Sequence, residues 1–86
     1  MYLDIKEIKA TTARFYADEI GSTTMNPIIR EIKEAAAIGK TEVRISFTRY
    51  PMLYKVKNNV DYLVTWARLC EFITAKYDDC LYIKWY

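Results

Sequence analysis

The end of the chain constrains the fold most. From Cys80 to Tyr86 the residues alternate strictly, with Leu81, Ile83 and Trp85 on one side and Tyr82, Lys84 and Tyr86 on the other. A period of two is the signature of a strand with one buried face and does not fit a helix. A strand cannot stand alone, because its backbone N–H and C=O groups need partners and its apolar side needs a cover. The rest of the chain, or another molecule pairing with the strand, therefore has to supply both.

Directly upstream, the spacing predicts an amphipathic helix over 58–76. Val56, Val60, Leu63, Ala67, Cys70 and Thr74 form one stripe, which Trp66, Leu69 and Ile73 widen into a face. Asn58 or Asn59 suits the start of that helix, and with Asn58 as cap Asp61 falls in the first turn, where a carboxylate favours the positive helix end. A second alternating stretch, Lys40 to Thr48, turns Val43, Ile45 and Phe47 inward and Arg44 and Ser46 outward.

Two helices are expected ahead of it. Asp4 caps the first, Glu7 completes a capping box, Leu3 staples onto Ile8, and Gly21 ends it. Its inward face is expected to be Ile5, Ile8, Thr12, Phe15, Tyr16 and Ile20. A polar turn over Ser22 to Met25 then leads to Asn26 and Pro27, which suit the cap and first position of the second helix, and Gly39 closes that helix. From Arg49 to Lys57 the pattern is ambiguous. A loop or irregular extended segment is expected; a third strand over Met52 to Val56 and a backward extension of the long helix are the alternatives, and Pro51 disfavours a central strand and fits a helix start or loop. The expected fold class is a small single-domain α+β protein spanning 1–86, with helices packed on a small sheet. The order is helix, helix, strand, loop or short strand, helix, strand. The strand, helix, strand succession would set the two strands parallel through a right-handed crossover.

Composition bounds the rest. Eighty-six residues bury only roughly 60 to 65% of the surface of the unfolded chain, so a partner would add useful stability. A hydrophobic fraction of 52% with two Gly and two Pro argues against disorder. Cys70 and Cys80 have no metal-like spacing in a chain with no His; Cys70 is expected on the buried helix face as an inert thiol, with no metal and no cofactor. The longest apolar run is too short to cross a bilayer and no charged-then-apolar leader is seen, which points to a cytoplasmic protein.

No catalytic residue is expected. Without His the ordinary neutral-pH acid–base group is missing, no Ser or Cys stands in a nucleophile setting, and the adjacent Asp78 and Asp79 would point apart in an extended chain. Two binding surfaces are candidates instead. Tyr82, Lys84 and Tyr86 form an outward row on the terminal strand, whose uncovered edge suggests strand addition to a partner or a homodimer through that strand. Arg44, Arg49, Tyr50, Tyr54, Lys55 and Lys57 form a basic and aromatic stretch with the chemistry of a phosphate- or base-binding surface. Residues 40–57 hold five cations against the single Glu42, an excess of +4, whereas the segments on either side each sum to −1. The leading expectation is a non-enzymatic protein-interaction module; the alternative is a small nucleic-acid-binding module built on that stretch.

A resemblance adds to this. Ile32, Ala35, Ala36, Gly39, Lys40, Thr41, Val43, Ile45 and Phe47, with the ending Tyr82, Ile83, Lys84 and Trp85, resemble the pattern of small, functionally uncharacterised bacteriophage accessory proteins. In those a helix ends in Gly-Lys, a strand follows, and a further helix leads to a last strand with an Ile-x-Trp signature. The Gly usual before that last strand is replaced here by Asp78 and Asp79. The resemblance implies a phage-encoded factor that binds and inhibits or redirects a host protein in the host cytoplasm.

Overall fold

A computed structural model describes residues 3–86. It is an α+β domain whose elements run α1 (Ile5–Ile20), α2 (Ser22–Ala37), β1 (Glu42–Ser46), α3 (Pro51–Lys55), α4 (Asn59–Leu69), β2 (Ile73–Lys76) and β3 (Cys80–Lys84). The α+β expectation holds, and three features of the sheet differ from it. The strand order is β1-β3-β2, every pairing is antiparallel, and the third strand comes from the stretch expected to end the long helix. No parallel crossover forms, and 49–57 is neither loop nor strand but carries a five-residue helix that Pro51 opens at its first position.

The terminal strand is therefore the central one. Val43 and Ile45 stand opposite Ile83 and Leu81, while Thr74 and Lys76 stand opposite the same two residues from the other side. The inward parity carries Ile45, Leu81 and Ile83, all fully buried, against Ile28 of α2 and Leu63 and Ala67 of α4. α2 packs on β1, α4 on β2, and α1 chiefly on α4. A homodimer formed by adding a strand to the terminal strand is ruled out by this register, since both of its sides are already paired.

The long helix ends at Leu69, seven residues before the expected Lys76, for a reason written in the backbone. Cys70 caps it, Glu71 takes the left-handed conformation at φ 69°, the Glu71 N–H donates to Arg68 C=O at 2.9 Å, and the Phe72 N–H donates to Ala67 C=O at 2.9 Å. α2 ends with the same double closure, Gly39 N–H to Ala36 C=O at 3.1 Å and Lys40 N–H to Ala35 C=O at 2.9 Å, with Gly39 at φ 83°. Glycine advertises the second ending; glutamate conceals the first. Cys70 is consequently exposed rather than on a buried face, and Cys80 is the buried thiol; both are free.

Asn58 also adopts the left-handed conformation, at φ 74°, which separates α3 from α4, and the buried Asn59 side chain ties them together by donating to Met52 C=O at 3.0 Å. The second helix starts a turn earlier than Asn26 and Pro27 suggest, directly after Gly21. Burial of Thr24 and Met25 favours that early start. Pro27 removes the bond that would reach the carbonyl of Thr23, an exposed residue whose carbonyl water can satisfy.

Asp4 caps α1 as expected, the Lys6 N–H donating to Asp4 Oδ1 at 3.0 Å, but the Glu7 side chain makes no return bond to the Asp4 N–H and the capping box does not close. The inward face of α1 matches the expected one only at Tyr16 and Ile20. Ala13, Tyr16, Ala17 and Ile20 meet the core, because small Ala side chains let α1 approach α4 closely and Tyr16 packs its ring 5.4 Å from that of Tyr62. Ile5, Ile8, Thr12 and Phe15 are left exposed, a quarter turn away, and Leu3 is exposed beside them.

A non-glycine residue in the left-handed region costs about 1 to 2 kcal/mol. Glu71→Gly is expected to raise unfolding stability by about 1 kcal/mol and Gly39→Ala to lower it by a similar amount. Urea denaturation of the two variants checks this; a destabilised Glu71→Gly would contradict the described helix ending.

Candidate functional surface

The face of the sheet turned away from the helices follows from the register. Glu42 lies opposite Lys84, which lies opposite Ile73; Arg44 lies opposite Tyr82, which lies opposite Ala75; Ser46 lies opposite Cys80. Residues directly opposite in antiparallel strands share a face, so these three rows form the outward surface. It is hollowed into an open concavity of about 590 Å³ whose walls come only from the three strands and the turn between β2 and β3.

That turn builds one wall. Asp78 and Asp79 link β2 to β3, the Tyr77 N–H donates to Cys80 C=O at 2.9 Å, and the Phe47 N–H donates to Asp79 C=O at 3.0 Å. The carboxylates thus turn the chain, as their turn-forming chemistry suggests, but between two strands rather than between helix and strand. Asp79 reaches Arg44 at 3.3 Å, and the Tyr77 ring stands edge-on to Tyr82 with centroids 5.6 Å apart. The Arg44 guanidinium pKa is raised, first by the neighbouring Cys80 and also by Asp79.

A second hollow of about 380 Å³ adjoins the first, with Asp79 on the border of both and with Phe47, Pro51, Tyr54 and Lys55 around it. The surface therefore gathers Arg44, Tyr82 and Lys84 around one hollow and Tyr54 and Lys55 around the other. Four of the nine expected binding residues lie apart from it. Arg49 and Tyr50 point to α2 instead: Arg49 Nη1 lies 2.7 Å from Glu31 Oε1, the Tyr50 hydroxyl donates to Glu31 Oε2, and the Arg49 guanidinium stands 5.7 Å from the centre of the Tyr50 ring. Lys57 is exposed before Asn58 and lines neither hollow, and Tyr86 projects past the end of β3 with 91% of its surface exposed.

Sequence reasoning missed Glu42, Ala75 and Tyr77. The signal for the last two was the β-branched pair Ile73 and Thr74 leading to an Asp-Asp turn, but the helical stripe ran on through the same letters. Among the described residues no group of three or more Cys, Asp or Glu side chains gathers at metal-binding distance, and no helix is long and apolar enough to cross a membrane. Comparison with protein-family models, curated proteins and solved structures returned no match.

The Glu31 clamp has a pH signature. Burial, and then the hydrogen bond and charge of Glu31, push the Tyr50 phenol from 10.0 up to about 12. A phenol held protonated by the fold stabilises it fully below its unfolded pKa, and that contribution is lost as pH rises from about 10 through about 12. Ultraviolet titration of tyrosinate is expected to show one late-ionising phenol that disappears in Tyr50→Phe and moves back toward the ordinary value in Glu31→Gln. A titration unchanged by Tyr50→Phe would contradict the clamp.

Proposed function

We propose that the protein is a non-enzymatic interaction module that holds another protein on the helix-free face of its sheet. The observation that carries this reading is the open concavity itself, where Arg44, Ala75 and Tyr82 on the strands lie together with Tyr77 on the adjoining turn. Tyr and Arg are the residues that most often dominate protein contacts, because they bury a large area with few rotamers to freeze and still offer a polar tip. Ile73, exposed on the same face, adds apolar surface next to Lys84.

Charge favours a protein over a nucleic acid as the occupant. Glu42 stands opposite Lys84, and Arg44 is already matched by Asp79, so the face has no cationic excess to exchange for phosphate counterions. Of the basic and aromatic stretch, Arg49 and Tyr50 face Glu31 instead. The finer reading, a phage-encoded factor that inhibits or redirects a host protein in the host cytoplasm, rests on the bacteriophage resemblance alone.

A photo-crosslinking side chain in place of Tyr82 tests the surface, with the same probe at Lys33, exposed on α2, as the control. The expected result is a nuclease-resistant protein adduct at position 82, absent at 33 and weakened by Arg44→Glu. An adduct destroyed by nuclease would instead support the nucleic-acid reading.

A further inference from the structure

The first two turns of α1 lie outside the core. Among its described residues up to Thr12, none is buried and only Lys9 is partly covered, so the buried contacts of the helix come from its second half, while Lys6, Lys9 and Ala10 only border the end of α4. On that free half and just beyond it, Ile5, Ile8, Thr12 and Phe15 recur at the three- and four-residue steps of a docking stripe, with Ile5 63%, Ile8 44% and Phe15 56% exposed. Three large apolar side chains aligned on one exposed strip are a different matter from single scattered ones, because they present contiguous apolar surface.

The charges beside the stripe are sorted. On the flank away from α4 run Asp4, Glu7, Thr11 and Asp18, all exposed, and a groove of about 370 Å³ lies between this row and the stripe, lined by Leu3, Asp4, Glu7, Ile8, Thr11 and Thr12. On the other flank Lys6 and Lys9 turn toward Leu69, Cys70 and Glu71 at the end of α4. The free side of the stripe is thus bordered by carboxylates, with Arg14 one row further out.

Size separates the candidate occupants. Eleven helical residues, Ile5 to Phe15, span about 16 Å at a helix width of about 10 Å, well below the roughly 800 Å² per partner that a stable dimer buries. A second copy of the chain would also bring an acidic row against an acidic row in any arrangement that faces those flanks. A single amphipathic helix fits the dimensions, and a basic one fits the charge.

We propose that the α1 stripe docks a basic amphipathic helix from a partner protein, its apolar side on Ile5, Ile8 and Phe15 and its Lys or Arg residues along Asp4, Glu7 and Asp18. The contact is separate from the sheet concavity, so the protein has two partner-facing surfaces. A docked helix also supplies tertiary support to turns that are marginal alone.

The test is selection from a displayed library of short helical peptides with randomised faces, using the intact protein as target. Recovered peptides are expected to show apolar residues at three- and four-residue steps beside an excess of Lys and Arg. They should bind the Ile8→Ser/Phe15→Ser double variant weaker by about tenfold or more, and bind the Glu7→Lys/Asp18→Lys variant weakly, while acidic versions of the same peptides gain affinity for it. All four substitutions are at exposed positions, and circular dichroism checks that the fold is kept. Recovery of no peptide, of peptides with no basic excess, or of peptides that bind the stripe variant equally would overturn the proposal. So would sedimentation showing a dimer of the parent that the stripe variant abolishes, since the occupant would then be a second copy.

Discussion

The pairing of β3 on both of its sides is the interaction on which the rest of the molecule depends. β1 and β2 do not touch each other in the ladder; each is held in the sheet only through β3. The alternation of hydrogen-bond direction makes the division explicit. Phe47 N–H to Asp79 C=O and Trp85 N–H to Thr41 C=O set the odd-numbered residues of β3 toward β1, and Tyr77 N–H to Cys80 C=O sets the even-numbered ones toward β2. The same strand fills the core with Leu81 and Ile83. One short segment therefore supplies both the backbone partners and the apolar floor on which α2 and α4 rest.

That arrangement decides which surfaces of the sheet stay open. With β3 central, its outward residue Tyr82 lies mid-surface between Arg44 and Ala75, which turns a feature expected at an edge into the floor of a concavity. The free edges belong to β1 and β2, where Glu42, Arg44, Thr74 and Lys76 direct backbone groups away from the sheet. Both edges are short and carry charge, two of the standard ways of discouraging uncontrolled strand addition. The proposed contact is accordingly one of side chains on the open face rather than growth of the sheet.

How much of this was legible in the letters differs from element to element. The strict alternation at Cys80 to Tyr86 and Lys40 to Thr48 reported two strands correctly, as did Asp4 and Gly39 the helix ends they mark. The third strand was hidden because Ile73 and Thr74 continue the helical stripe of α4, and the turn that ends it uses Glu71 where a glycine would have given notice. α1 shows the opposite failure: its period is real, but the heavier stripe reads as inward, whereas close packing on α4 selects the small residues Ala13 and Ala17 beside Tyr16 and Ile20. Apolar periodicity locates a face; which of two faces is covered depends on the neighbour's shape. Of the expected binding residues, Tyr82, Lys84 and Arg44 were legible as outward by parity alone. The withdrawal of Arg49 and Tyr50 to Glu31 was not, because it depends on a contact between α2 and the segment after β1.

The central position of β3 is open to a direct measurement by native-state hydrogen exchange. Slow exchange is expected at every β3 amide from Leu81 to Lys84, odd- and even-numbered alike. In β1 the amides of Val43 and Ile45 should be slow and those of Glu42 and Arg44 fast; in β2 those of Ile73 and Ala75 should be slow and those of Thr74 and Lys76 fast. Alternating fast and slow amides along β3 would mean that the terminal strand is an edge, and would contradict both the fold and the surface derived from it.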